Sequence, residues 1–291
     1  MSYRTQRSRN RLGGLGYGEP ERHNILQPDL SSITVSDRVL QLSLTVATLS
    51  PKVEELIKWH LGEIAKTRFE DNALQIAAYA SALEKEKDGR LLALIVDLIF
   101  RNIRTKPELS TVHIFTRLCH LIAQDILPTV QDQQTLDANG QPVLGSSLVC
   151  MYLTDRCYKE MKQAWDDRQA ALNRAWSASG DKADEASAAA ETANQIWLAM
   201  VRFIHSLYQQ SLVVEEPVHR CVERLLALPA HKHPEAVTLY NVLLEPRGSR
   251  IYQDRDRMDK YYIQMQELIR ITDLSETKVV FEVCQVRYLV S

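Results

Sequence analysis

The sequence lacks the features that mark secreted, membrane-spanning and disulfide-bonded proteins. Its five cysteines are scattered with no CxxC pair, and the arginine-rich start contains no apolar segment typical of a secretory signal, so we expect reduced thiols inside a cell. No stretch approaches the ~18 uninterrupted apolar residues that a membrane-spanning helix needs. The formal net charge of −2 gives the whole chain no attraction to nucleic acid, so such binding would require a local basic patch.

Catalytic signatures are missing as well. The chain contains no HExxH, GxSxG, phosphate-loop or dinucleotide-binding glycine pattern, which argues against the enzyme classes that use them. His231 and His233 form an HxH pair without further ligands nearby in the sequence, so we expect no metal site there. Cys150 and Cys157 are expected to be buried thiols that act as small hydrophobic residues. We therefore predict that the protein is not an enzyme and binds no cofactor or metal.

Residues 1–33 differ from the rest of the chain in composition. Four arginines (Arg4, Arg7, Arg9, Arg11), four glycines between positions 13 and 18, and prolines at 20 and 28 leave little apolar surface for a packed core. We predict a disordered tail here, followed by one folded domain over residues 34–291. The tail is either a simple linker or an arginine-rich arm that contacts RNA phosphates.

The stretch IVDLIFRNIRTKPELSTVHIFTRLCHLI (95–122) contains two apolar patterns at helical spacing, separated at Lys106-Pro107. Residues 90–104 are apolar on most sides, and Asp97, Arg101 and Arg104 form a narrow polar strip, which predicts an inner helix covered by neighbours on several sides. Residues 108–127 have one apolar face, which predicts an amphipathic outer partner. The two helices are predicted to form a hairpin that turns at the proline.

Helical patterns continue along most of the chain. Ser50-Pro51 is a helix start signal, and further helices are predicted over 51–66, 70–86, 146–176, 194–212, 215–228, 234–245, 252–271 and 276–289. Residues 128–145 are predicted to be a polar loop with an Asn-Gly turn, and 177–193 a low-complexity bridge whose alanines allow the next helix to begin early. About ten helices in successive pairs of ~40–50 residues predict an all-α fold, a HEAT-like α-solenoid of about five stacked antiparallel pairs.

Five segments share their order and spacing with the helices of a known family. They are the hairpin at 95–122, YLTDRCYKEM (152–161), MVRFIHSLYQQSLV (200–213), VHRCVERLL (218–226) and RMDKYYIQMQELI (257–269). Together they resemble the middle domain of eukaryotic translation initiation factor 4G. The resemblance implies a HEAT-like scaffold without an active site, which binds RNA and a DEAD-box RNA helicase of the initiation-factor-4A type. Such a scaffold acts by binding one conformation of the helicase more tightly than another.

The resemblance implies helicase-binding positions on two helices. Carried over residue by residue, they are Leu153, Arg156, Lys159, Phe203 and Leu207. Taken by themselves, the three apolar residues are more typical of a core, and the two cations of an ordinary solvated surface.

RNA-binding positions are predicted from charge. The four tail arginines are the first candidates, because they concentrate positive charge with no acid among the first twelve residues. The helical positions Arg101, Arg104 and Arg117 are the second. We expect a cytoplasmic monomer that acts in translation initiation. The alternatives are a scaffold in nuclear RNA processing or decay, and a helical-repeat protein-interaction module with no RNA role.

Overall fold

The structure is a computed structural model that describes residues 51–64, 69–81, 89–180 and 182–227, and in a last stretch residues 256, 257, 259–261, 263, 264 and 267. The described residues of the last stretch are all helical. The predicted tail (1–33), the predicted helices at 234–245 and 276–289, and the pair of His231 and His233 lie outside the described residues.

Seven helices and one β-hairpin have defined ends within the described ranges. They follow in the order α1 (Pro51–Ile64), α2 (Phe69–Ser81), α3 (Arg90–Thr105), α4 (Leu109–Asp125), β1 (Gln131–Leu136), β2 (Pro142–Leu144), α5 (Gly145–Ser177), α6 (Lys182–Gln209) and α7 (Glu216–Leu226). Each of the seven falls on a predicted helix, although several ends differ from the prediction. Among the described residues, no helix combines the length and the apolar composition that crossing a membrane requires.

The helices stack in two layers. Consecutive helices pair as α1 with α2, α3 with α4, and α5 with α6, and each pair packs on the next. One layer contains α1, α3, α5 and α7, and the other contains α2, α4 and α6, because each helix contacts the next member of its own layer. A stack in which each pair buries its inner face on its neighbours is a HEAT-like α-solenoid. The predicted fold class is therefore confirmed over the described part of the chain.

The α3–α4 hairpin supplies the centre of the core. Nine of the 16 residues of α3 are buried, and all nine are apolar, which confirms the predicted inner helix. Phe100 on α3 packs edge-to-face against Phe203 on α6, with 5.1 Å between the ring centroids. On α4, Phe115 is buried while His113 and Arg117 are exposed, which confirms the predicted amphipathic partner. Truncation of a buried phenylalanine to alanine typically costs ~3–5 kcal/mol, so these rings contribute strongly to stability.

The segment predicted to be a polar loop, 128–145, contains an antiparallel β-hairpin. The Cα partners in its register are Gln131 with Leu144, Asp132 with Val143, and Leu136 with Pro142. The predicted turn lies at Asn139 and Gly140, between the strands. Asp132 is buried, and its carboxylate accepts hydrogen bonds from the hydroxyl of Thr135 at 2.5 Å and the backbone N–H of Gln134 at 2.9 Å. The described fold is therefore helical apart from this hairpin, which is organised around a buried carboxylate.

The third helix pair is longer than its neighbours. α5 has 33 residues and α6 has 28, whereas α3 has 16 and α4 has 17. The prediction of a bridge at 177–193 is wrong for most of that range, because α6 already begins at Lys182; its alanines favour the early start. None of residues 172–180 and 182–189 is buried. These residues form a two-helix projection, which we call the spur.

Candidate partner-binding surface

Three arginines and three carboxylates form a continuous network of ion pairs where α3 meets α5. We call this network the charged seam, and its members are Asp97, Arg101 and Arg104 on α3 and Arg156, Glu160 and Asp167 on α5. The narrow polar strip of α3 therefore faces complementary charges on the neighbouring helix.

Arg156 lies at the centre of the charged seam. Its Nη2 atom is 2.6 Å from Oδ1 of Asp97 and 2.6 Å from Oε1 of Glu160. Since Asp97 is on α3 and Glu160 is on α5, one guanidinium joins the two helices. Arg101 adds a contact of 2.6 Å between its Nε and the second carboxylate oxygen of Asp97.

Arg104 forms the second connection between the helices. Its Nη1 atom is 3.1 Å from Oε2 of Glu160, and its Nη2 atom is 2.6 Å from Oδ2 of Asp167. Burial disfavours the charge on Arg104, but hydrogen bonds and Coulomb attraction from these two carboxylates outweigh it and raise the pKa of Arg104 above its ordinary value. Arg104 is therefore a permanent cation that fixes the spacing of α3 and α5.

The charged seam is partly shielded from water. The side chains of Glu160, Asp97 and Arg156 are 7%, 15% and 19% exposed. Removal of one partner from a buried ion pair leaves an uncompensated charge and is strongly destabilising. The charged seam thus holds a defined side-chain arrangement near the surface of the layer that contains α3 and α5.

Three of the five predicted helicase-binding residues do not lie on the surface. Leu153, Phe203 and Leu207 are each 0% exposed and belong to the hydrophobic core. Direct contact of these side chains with a partner is therefore not available in this fold. Their assignment as partner-facing residues needs this correction, because a shared motif marks a helix without showing which of its faces is covered.

The other two predicted helicase-binding residues lie on α5, where Arg156 is partly buried and Lys159 is exposed. Arg156 is also a member of the charged seam. The two are three residues apart on one helix, so they lie on adjacent parts of its surface. The two cationic residues of the predicted helicase site, Arg156 and Lys159, thus lie next to each other on α5.

The helical arginines predicted to bind RNA do not form one patch. Arg104 is directed towards α5, whereas Arg117 pairs with Glu70 of α2 at 2.7 Å and lies over the ring of Phe69, with 4.2 Å between Cζ and the ring centroid. Arg101 pairs with Asp97. Each of these arginines already has a carboxylate partner. The tail candidates, Arg4, Arg7, Arg9 and Arg11, lie outside the described residues.

The carboxylate half of the charged seam is not evident from the sequence. Glu160 and Asp167 lie 56 and 63 residues from Arg104, so no local pattern connects them. The spacing of Asp97 with Arg101 and of Arg156 with Glu160 is the i, i+4 spacing of helical ion pairs. That spacing predicts charges on one face of each helix, but it does not predict that the two faces meet.

The described residues contain no cluster of potential metal ligands, and burial keeps two of their thiols unreactive. Within these ranges no group of three or more His, Cys, Asp or Glu side chains could hold a metal ion. Burial raises the pKa of Cys150 to about 11 and holds that of Cys157 well above its ordinary value. Both thiols are buried and protonated at neutral pH, which confirms that they act as small hydrophobic residues.

The family comparison covers most of the chain. Residues 54–291 match the family model of the MIF4G domain. This range begins within α1 and continues through the charged seam to the last residue.

Curated relatives also match most of the chain. In an alignment of 274 positions that covers 85% of the chain, it is 26% identical to eukaryotic translation initiation factor 4 gamma of Schizosaccharomyces pombe, and it spans 19% of that protein. It is 26% identical over 206 residues, 70% of its length, to the eukaryotic initiation factor 4F subunit p130 of Saccharomyces cerevisiae, and spans 22% of it. It is 24% identical over 220 residues, 72% of its length, to mouse eukaryotic translation initiation factor 4 gamma 1, and spans 12% of it. The chain thus spans about a fifth or less of the length of these relatives.

Proposed function

This chain belongs to the MIF4G domain family, and from that membership we propose that it is a non-catalytic scaffold in translation initiation. Its proposed partners are RNA and a DEAD-box RNA helicase of the initiation-factor-4A type. No cofactor or metal is part of the proposal. Relatives that are translation initiation factors support the process. The solenoid supports the scaffold role, because stacked repeats present extended surfaces to other macromolecules.

The observation that carries the proposal is the charged seam with Lys159 beside it. Arg156 and Lys159 are proposed to contact the helicase through its acidic side chains. Leu153, Phe203 and Leu207 are proposed to contribute indirectly, because they pack behind this surface and keep α5 and α6 in place. A surface held in this way offers a defined arrangement of charges to a partner, which favours specificity and association rate.

The proposed mechanism is conformational selection of the helicase. A scaffold changes the activity of its partner only if it binds one conformation more tightly than another. A tenfold difference in affinity between two helicase conformations corresponds to about 1.4 kcal/mol, which a few charge contacts can supply. A rigid charged seam suits this role, because charges in fixed positions fit one arrangement of the helicase surfaces better than another.

The direct test is the RNA-dependent ATPase of a purified helicase of the initiation-factor-4A type. Addition of the purified chain should stimulate this activity, and the chain alone should hydrolyse no ATP. ATP turnover by the chain itself would contradict the scaffold proposal, and so would the absence of both binding and stimulation.

A charge reversal tests the proposed contact surface. Lys159→Glu should weaken helicase binding about threefold or more and reduce its association rate, since reversal of a surface charge at an interface acts mainly on association. The matched control is Lys182→Glu, because Lys182 is also exposed but lies on the spur. Equal binding by the two variants would place the helicase contact elsewhere.

A pull-down separates the translation proposal from its alternatives. We propose a cytoplasmic monomer, so the tagged chain should recover initiation factors from a cytoplasmic lysate and should have the mass of one chain in light scattering. Recovery of splicing or decay factors in place of initiation factors would support the nuclear role. Recovery of neither set would support a module without a role in RNA metabolism.

A further inference from the structure

A second set of interacting side chains lies where α5 meets α7. We call it the aromatic–arginine seam, and its members are Tyr158, Lys162 and Trp165 on α5 and Arg220 and Arg224 on α7. The guanidinium of Arg220 lies over the ring of Tyr158, with 4.9 Å between Cζ and the ring centroid. The guanidinium of Arg224 lies over the ring of Trp165 at 5.7 Å. Each ring therefore holds a cation against its face.

The spacing of residues on α5 separates this set from the charged seam. Tyr158, Lys162 and Trp165 follow one another at i, i+4 and i+7, so they form one stripe along the helix. At 3.6 residues per turn, this stripe lies roughly opposite Arg156 and Glu160. α3 contacts α5 on one side and α7 contacts it on the other. The two seams are therefore separate surfaces that could be occupied at the same time.

The aromatic part of this surface is held in place from below. Trp165 packs edge-to-face against Trp197, with 5.2 Å between the ring centroids, and Trp197 is fully buried. Arg168, also buried, lies over the ring of Trp165 at 5.9 Å and donates a hydrogen bond of 2.7 Å from its Nε to Asn194. The ring of Trp165 is thus fixed before any ligand arrives, and little conformational entropy would be lost on binding.

Arg220 and Lys162 supply the exposed positive charge of this surface, beside the carboxylates of Glu216 and Asp155. The side chain of Arg220 is 53% exposed and pairs with Glu216 at 3.3 Å, while the same carboxylate accepts a contact of 2.6 Å from Arg257. One carboxylate therefore serves two cations. Lys162 is exposed and forms no ion pair within the described part of the chain. Burial, followed by the charge of Glu216, raises the pKa of Tyr158 to about 12, so its ring is uncharged at neutral pH.

We propose that the aromatic–arginine seam binds single-stranded RNA, with a base stacked on the outer face of the Arg220 guanidinium and a phosphate paired with Lys162. The inference rests on the proposed RNA-binding function and gives that function a location in the described residues. Guanidinium planes and aromatic rings are the side-chain surfaces on which unpaired bases stack. Tyr158 holds the inner face of the guanidinium, so the outer face is already oriented for a base.

The seam fits RNA better than it fits an acidic peptide. A carboxylate would use the charge of Arg220 and Lys162, but it would gain nothing from flat stacking surfaces. Nucleotides use both features, since each carries a ring that stacks and a phosphate that pairs with a cation. The alternation of aromatic and cationic side chains along α5 matches this combination.

The test measures binding of a labelled single-stranded RNA of about ten uridines by fluorescence anisotropy over a series of salt concentrations. Arg220→Lys keeps the charge but removes the planar stacking face, so affinity should fall roughly fivefold or more while the slope of log affinity against log salt stays the same. Lys162→Gln should flatten that slope by about 0.7, the contribution of one phosphate contact in single-stranded RNA. Lys182→Gln, on the spur, should change neither quantity.

Three outcomes would overturn this location. If both variants bind RNA as the wild-type chain does, RNA binding stands but lies elsewhere. If the variants lose affinity for an acidic peptide and not for RNA, the seam is a protein-binding surface. If the wild-type chain binds no RNA, the proposed RNA-binding function and this inference fail together, while helicase binding measured without RNA still tests the scaffold proposal. Thermal melting of Arg220→Lys should match the wild-type chain, which excludes unfolding as the cause of any loss.

Discussion

The hydroxyl of Tyr152 on α5 donates a hydrogen bond of 2.9 Å to Oδ2 of Asp132 on β1. The same hydroxyl lies beside Gly89, which adopts a left-handed conformation (φ 61°) immediately before α3. One side chain of α5 therefore meets both the β-hairpin and the start of the inner helix. Asp132 is buried with three donors on its carboxylate, so the hairpin is held by a satisfied buried charge.

Tyr152→Phe should destabilise the protein by about 1–2 kcal/mol. The substitution removes one of the three donors to Asp132 and leaves a buried carboxylate with fewer partners. Urea denaturation measures the free energy of unfolding. Gln133→Ala is the matched control, because Gln133 is exposed on the same strand and its loss should change stability by less than about 0.5 kcal/mol. Equal stability of Tyr152→Phe and the wild-type chain would show that the hydrogen bond contributes nothing.

Gly89→Ala should destabilise the protein by roughly 1–3 kcal/mol, because left-handed backbone is costly for residues other than glycine. An alanine Cβ would also overlap the hydroxyl oxygen of Tyr152 and lie 3.0 Å from its Cζ. In a Tyr152→Phe background the overlap with the hydroxyl disappears, so the same substitution should cost less but still more than zero. Additive effects in the double mutant would show that the two residues do not interact.

Arg156→Gln should cost about 1–3 kcal/mol, because Asp97 and Glu160 would then face each other without the cation between them. The matched comparison is Arg117→Gln, whose ion pair with Glu70 is 60% and 66% exposed; loss of an exposed pair typically costs less than about 1 kcal/mol. Chemical denaturation of the two variants in parallel measures both values. A smaller loss for Arg156→Gln than for Arg117→Gln would mean that the charged seam is not structural.

Glu216 should stabilise the fold at neutral pH and not in acid. Burial would raise the pKa of its carboxyl, but hydrogen bonds from Arg257 and Arg220 outweigh burial and hold the pKa below 4.5. A group with a lowered pKa in the folded state contributes stability above its unfolded pKa and loses it as the pH falls through the folded value.

The free energy of unfolding of Glu216→Gln can be measured from neutral pH down to about pH 3. It should be lower than that of the wild-type chain only near neutral pH. The difference should shrink towards zero as the pH drops. A difference that stays constant over this range would mean that the ionised carboxylate is not the stabilising species.

Deletion of residues 1–18, which lie outside the described residues, should lower RNA affinity and leave the fold intact. Loss of Arg4, Arg7, Arg9 and Arg11 should flatten the slope of log affinity against log salt by roughly two to three units, since each phosphate contact contributes about 0.7. Thermal melting should not change, because the segment has little apolar surface. Unchanged affinity and slope would mean that these arginines are linker charges, and RNA binding would then depend on the helical domain alone.

The helical pairing could be predicted from the sequence, whereas the hairpin could not. The apolar residues of α3 and α4 recur at helical spacing, and burial follows that spacing closely. The strand segment QDQQTL (131–136) is mostly polar, with a buried aspartate where an apolar residue would be expected. Its order depends on Tyr152, 20 residues away, so the Asn-Gly turn was the only local signal.

The candidate site was predictable only in part for a related reason. The position of Arg156 and Lys159 on one helix follows from the sequence and from the resemblance to a family. The apolar character of Leu153 already favours a core position, and its burial agrees with that. Which face of α5 is covered depends on α3 and α7, so the cation contact at Tyr158 emerges only in three dimensions. Contacts between layers join residues that share no local sequence pattern, so sequence periodicity does not predict these contacts.

The spur is a place where the chain can accept additional residues. At 1.5 Å per residue, α5 extends about 50 Å and α3 about 24 Å, so the far ends of α5 and α6 project past the stacked layers. Ala178, Ser179 and Gly180 form the described part of the connection at the tip, and none of them is buried. Residues added at such a tip displace no packed side chain, and loops of this kind tolerate insertions. The tip is therefore suited to carry a fluorescent label or an inserted peptide while the stacked layers keep their packing.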